Sequence, residues 1–123
     1  MTNRDFHLQC RRAETNAFHR VLNALPRDKW DYAPHEKSQS ASRIVWTLIG
    51  ETDVLSHLID HGEFAFGTPP EMHPARLIEE FERAWDQLNR KIESMDEAQW
   101  DRPGKFLMNG QVRAERPTSA FLW

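Results

Sequence analysis

Apolar residues recur in three long stretches of this chain at steps of three and four, the spacing that lines one face of an α-helix. The first stretch runs from about Asn3 to Leu25. Phe6, Cys10, Ala13, Ala17, Val21 and Ala24 mark its stripe, Phe18, Leu22 and Leu25 widen it, and Arg11, Arg12, Glu14 and Arg20 take other faces. Pro26 ends it, because proline has no N–H to give to a helix interior. The second stretch, about Ala41 to His61, carries Ile44, Val45, Leu48, Ile49, Leu55, Leu58 and Ile59 on its apolar face. Ser38, Ser40 and Ser42 compete as its N-cap, and Gly62 stands where a left-handed residue often closes a helix. The third begins near Pro74, a residue suited to a first helical turn. Leu77, Ile78, Phe81, Trp85, Leu88, Ile92 and Met95 repeat along it, thickened by Ala84, with Glu79, Glu80, Glu82, Arg83, Arg90 and Lys91 on the wet side.

The connections have their own chemistry. Pro26 to Ser40 is irregular, with Trp30 and Tyr32 between two prolines, and rings in a connection read as a loop packed on the bundle. Glu63 to His73 holds Gly67, Pro69 and Pro70 and reads as a loop. Asp96 to Trp100 forms one short turn, and Phe106 to Val112 around Asn109-Gly110 reads as a short hairpin. Pro117 then opens a further helical segment through Thr118, Ser119, Ala120, Phe121, Leu122 and Trp123. A helix this short is marginal in water, so its apolar end must dock or the segment must be the start of a fourth helix. The expected fold is all-α: an up-down helical bundle of three long helices plus that start, in a single domain over residues 1–123.

Composition narrows the partners. The net charge is -3, from 16 basic and 19 acidic residues spread along the chain. No basic stripe marks a nucleic-acid surface. No run approaches the eighteen apolar residues of a membrane span, and the first residues lack a signal peptide's apolar core. Cys10 is the only cysteine, so no intrachain disulfide forms, and the cytoplasm is the expected address. Walker, dinucleotide and nucleophile-elbow motifs are absent.

Three segments carry a family resemblance: Ala24 to Pro34 (ALPRDKWDYAP), Ser38 to Glu51, and Met95 to Pro103 with Trp100-Asp101-Arg102-Pro103. In order and spacing they resemble the DinB/YfiT-like superfamily of four-helix bundles, over nearly the whole chain. The resemblance implies a divalent metal, nickel, zinc or iron, held by three histidines, one on helix two and two on helix four in an H-x-x-x-H arrangement. It also implies thiol-dependent transferase, isomerase or hydrolase chemistry in some members and no assigned activity in many. This sequence departs from that pattern. Thr47 occupies the helix-two position of the histidine, a hydroxyl being a poor ligand for these metals beside imidazole, and the helix-four pair has no counterpart before Trp123.

Other residues are weighed as replacements. His57 and His61, four apart, share a helix face and could clamp a metal, with Asp60 or His73 joining; the plainer reading is a pair near a helix end, where histidine suits the dipole. Glu51 lies one turn after Thr47, and the two are expected to line an interior edge as cavity residues. Cys10 reads as a small core residue. His7, His19 and His35 read as surface or loop residues. The function expected on this reading is a DinB-like binding or structural module without the family's metal. The alternatives are a metal-dependent hydrolase or thiol transferase with a rebuilt site, and a small-molecule binder using an inter-helix cavity. Without a complete fourth helix an apolar groove would stay open, so a homodimer or higher oligomer is expected to fill it.

Overall fold

A computed structural model describes all residues, 1–123. Three long helices dominate: α1 (Asn3–Ala24), α2 (Ala41–His61) and α3 (Leu77–Ser94). Several of their termini follow from local chemistry. Thr2 caps α1 by accepting from the Asp5 N–H at 3.1 Å, while the Asp5 carboxylate accepts from the Thr2 N–H, a reciprocal capping box. The Ser40 hydroxyl accepts from the Arg43 N–H at the start of α2. Gly62, at φ 76°, closes α2 by donating its N–H to the Leu58 carbonyl, a backbone conformation that glycine adopts without strain. A single 3-10 turn, Pro74–Arg76, leads into α3.

The bundle is built around α3, which packs against both α1 and α2. Its stripe of Leu77, Phe81, Ala84, Leu88 and Ile92 is buried. Near one end these residues meet Leu22, Trp30, Val45, Trp46 and Ile49. Near the other they meet Leu8, Met95, Trp100 and Leu122. Trp30 is buried, as a ring in a packed loop should be, and the loop is stitched down by Ser42 N–H to the Trp30 carbonyl and Ala41 N–H to the Tyr32 carbonyl. Tyr32 itself is exposed.

Two features depart from an up-down, all-α bundle. First, α2 and α3 run parallel. Asp53 pairs with Arg83 and, seven residues on, Asp60 pairs with Lys91, whereas α1 runs antiparallel to α3, as Arg11–Asn89 and Thr15–Trp85 show. Parallel neighbours need a connection that returns the full length of a helix. A 21-residue helix spans roughly 31 Å, and the stretch from Gly62 to Arg76, extended, reaches beyond that at about 3.3 Å per residue.

Second, there is a small mixed sheet. Strands β2 (Pro103–Met108) and β3 (Gln111–Pro117) form the hairpin, and β1 (Glu63–Phe64), inside the segment read as a loop, pairs parallel with β2. Asn109 and Gly110, at φ 53° and 74°, make the two-residue turn that Asn-Gly favours. The sheet lies close over α2: a side chain at Gly104 would place its Cβ 2.8 Å from Leu58 Cδ1. A short helix α4 (Glu97–Asp101) precedes the hairpin and α5 (Thr118–Leu122) follows it. The Thr118 N–H and hydroxyl both donate to the Arg102 carbonyl at 2.8 Å. Leu122 docks in the core. No helix is long and apolar enough to cross a membrane.

Candidate functional site

The groove that best meets the needs of a binding site lies along the outer side of α2. Its walls are α2 from Arg43 to Val54, the crossing segment Phe66–Pro70, and Glu80 and Arg83 of α3. The parallel run of α2 and α3 creates it, because the returning chain must pass over α2 and leaves a trough beneath itself. Its volume is about 500 Å³, within the range of small-molecule sites. Thr47 and Glu51 both line it, so the two residues singled out from the sequence do share one site. They are exposed there and not on an interior edge. The Thr47 hydroxyl donates to the Arg43 carbonyl one turn back at 2.9 Å, the back-bond that a helical threonine with no other partner makes.

Charge is distributed unevenly along the groove. Arg83 grips Asp53 with two nitrogens, at 3.1 and 2.8 Å, and reaches Glu80 at 3.0 Å. Hydrogen bonds to Asp53 raise the affinity of this guanidinium for its proton, so it stays charged. This cluster is internally neutralised to a large degree and braces α2 against α3. Arg43 and Glu51, by contrast, form no ion pair, so their charges face the groove uncommitted. The apolar wall is Trp46, Ile49, Val54 and Phe66. Trp46 is buried and its indole N–H has no acceptor.

Beyond Glu51 the groove runs into an apolar hollow of about 290 Å³ among Val54, Leu55, Phe64, Phe66, Phe106 and Phe121. The rings make a connected cluster, with Phe64 centred 5.0 Å from Phe121, 5.2 Å from Phe106 and 6.1 Å from Phe66. Phe66 is 61% exposed. Sequence reading missed this cluster because its members come from β1, the crossing segment, β2 and α5, elements that meet only through the sheet.

The histidines divide differently from expectation. His57 and His61 do come together, stacked at 4.0 Å between ring centres with 18° between planes. Nδ1 of His61 lies 3.1 Å from the His57 carbonyl oxygen, which leaves Nε2 as the outward nitrogen of that ring. Asp60 is committed to Lys91 at 2.6 Å, and His73 sits ahead of the 3-10 turn. Nowhere do three histidine, cysteine, aspartate or glutamate side chains converge as a metal would need. His19 contacts Glu82 at 3.4 Å and His35 accepts the Lys37 N–H, both near the surface. His7 is the correction: it is buried at 5% exposure, not a surface residue. Its ring lies 4.6 Å from that of Trp123 and 5.6 Å from that of Trp100. Burial, and then the charge of Arg11, push its pKa down to about 4. Cys10, half-buried, is a free thiol.

A scan against protein-family models finds none that matches this chain. A search of curated proteins finds no relative.

Proposed function

We propose that this chain is a DinB-like helical domain that works as a binding module, without the family's three-histidine metal site, and that the groove over α2 receives a small amphipathic molecule. One observation carries the reading: a trough of small-molecule size joins an unpaired cation, Arg43, to an aromatic wall through Thr47 and Glu51. A molecule with a flat apolar body and an anionic end would place the body on Phe66 and Phe106 and the charge toward Arg43. Apolar contact supplies affinity and the charge fixes orientation.

The fluorescent aromatic sulfonate 8-anilinonaphthalene-1-sulfonate is a suitable probe. It should bind saturably, and Phe66→Ala and Arg43→Ala should each weaken it by about tenfold, equivalent to ~1.4 kcal/mol. Both residues are exposed, so neither change should disturb the fold. Unchanged affinity in both variants would remove the groove from consideration.

A second observation favours self-association. Phe6, Ala13, Ala17, Val21 and Ala24 lie exposed along α1, with Val21 at 64% and Phe6 at 50%. A second copy placing the same stripe against this one would cover an isologous apolar surface. Sedimentation at micromolar concentration should show a dimer; a monomer across that range would end the idea.

A further inference from the structure

The hollow at the end of the α2 groove brings four phenylalanine rings and a single acid to one place. Glu51 is the only polar side chain that lines it, beside Phe64, Phe66, Phe106 and Phe121. Its carboxylate is exposed and forms no ion pair. No arginine, lysine or histidine lines the same space. The rings do not stack into a flat plate. Phe64 stands at 87° to Phe66 and 80° to Phe121, and Phe66 is inclined 64° to Phe106 with centres 5.9 Å apart. Phe64 is buried beneath the others at 7% exposure, whereas Phe66 remains largely open to solvent.

This combination selects among guests. Whatever fills the hollow strips water from one side of Glu51, and a carboxylate desolvated without compensation is costly. A neutral apolar guest offers no compensation, and an anion adds repulsion. Hard metal cations want oxygen ligands in number and give up water reluctantly, and the hollow has one carboxylate. An alkylated ammonium meets each requirement. Its charge faces Glu51, its methyl groups bury apolar area, and aromatic ring faces attract it. Rings set at steep angles offer such faces from more than one direction. The volume, about 290 Å³, lies at the bottom of the range for whole small molecules and suits a head group.

We propose that this hollow receives the methylated ammonium head group of a small organic cation. The inference rests on the groove as a ligand site and deepens it, because the amphipathic guest becomes a zwitterion. Its anionic end lies toward Arg43 and its ammonium toward Glu51. These two residues stand eight positions apart on α2, roughly 12 Å at the rise of an α-helix. The two charges therefore sit at opposite ends of the apolar body.

Choline and its neutral carbon isostere 3,3-dimethyl-1-butanol are the probes, since they share shape and differ in charge. Each is titrated into the full chain in low-salt buffer at neutral pH, with saturation transfer to its nine-proton methyl signal as the readout. Choline should bind saturably, and the isostere about tenfold more weakly. Glu51→Gln should weaken choline about fivefold and leave the isostere unchanged, and Phe66→Ala should weaken choline about threefold. Equal affinity for choline and the isostere overturns the proposal, leaving a merely apolar hollow. Choline that does not bind also overturns it. The comparison of the two probes uses wild type alone, so it stands even if a variant fails to fold. Failure here is distinct from failure of the groove. If choline is ignored while 8-anilinonaphthalene-1-sulfonate still binds in an Arg43-dependent way, the head-group site falls and the groove stands. If choline binds in a Glu51-dependent way while the sulfonate ignores both Arg43→Ala and Phe66→Ala, the head-group site stands without the groove.

Discussion

Helices α1 and α3 both carry apolar residues at helical spacing, but the segregation of apolar from polar faces is far sharper in α3, and the protein uses the two helices differently. In α3 the residues marked by the period are the ones that pack: Leu77, Phe81, Leu88 and Ile92 are all at or below 1% exposure. In α1 five of the six residues that set the step, Phe6, Ala13, Ala17, Val21 and Ala24, face away. Leu22, Phe18 and Leu25, which widen the stripe, turn to the core, and Leu22 shares the buried face with His7, Leu8 and Arg11. Volume explains the difference. Three alanines offer little area, whereas the face with Leu8, Phe18, Leu22 and the long stem of Arg11 covers more of α3. Arginine buries its methylene stem readily when its head finds a partner, and here Asn89 and the Trp85 ring hold the head. Period alone locates a helix; side-chain size decides which face meets the core.

The contrast is open to attack, most strongly at Phe81. This ring is fully buried, 5.6 Å from Phe18 and 5.4 Å from Trp85. Phe81→Ala would leave a cavity in a place where three helices cannot all move in, and should cost about 3–5 kcal/mol. Urea unfolding would measure it. A loss below about 1 kcal/mol would mean that α3 is not the central element.

The next test concerns the polar residues on the packed face of α1. With a folded pKa near 4 against 6.5 in the unfolded chain, His7 is neutral when folded across a range where the unfolded state takes up a proton. Acid therefore favours unfolding. Nothing is lost above pH 6.5, and stability should fall as pH drops from there toward 4, by up to ~1.4 kcal/mol per pH unit. His7→Leu should flatten that limb. Unfolding free energies at pH 7, 5.5 and 4.5 in low-salt buffer compare the two proteins, and parallel curves would show that His7 is not held neutral.

Much of the architecture could be read before any coordinates. The bounds of α2, Ala41 and His61, follow from Gly62 and from one of three competing serines, Ser40, whose capping roles depend only on their neighbours. The hairpin turn follows from Asn109-Gly110 for the same reason. Non-local features were hidden. β1 is two residues long and exists because Phe64 meets Phe106 across some forty positions, so no local pattern announces it. The parallel course of α2 and α3 depends on what the crossing segment does in space, and the groove depends on that course. Thr47 and Glu51 were found as a pair because residues one turn apart share a face; that this face lies under the crossing chain was not legible. The burial of His7 was hidden too, since histidine fits either side of a helix and only the rings of Trp100 and Trp123 settle where this one sits.

The smallest effect should come from the outward stripe of α1, and it sharpens the contrast from the other side. Ala17 is exposed in the middle of α1, and glutamate is also a good helix former, so Ala17→Glu should change the stability of the isolated fold by no more than about 0.5 kcal/mol. The same change places a charge at the centre of the surface proposed to join two copies, where it would meet its own image across the two-fold axis. Association should weaken by far more than folding does, and the two measurements separate cleanly: urea unfolding at low protein concentration for the fold, sedimentation for the pair. If Ala17→Glu unfolds the protein as readily as a core substitution, the stripe is part of the packed interior and α1 resembles α3 after all. If it leaves both quantities untouched, the stripe faces only water, and the alanines serve helix formation alone.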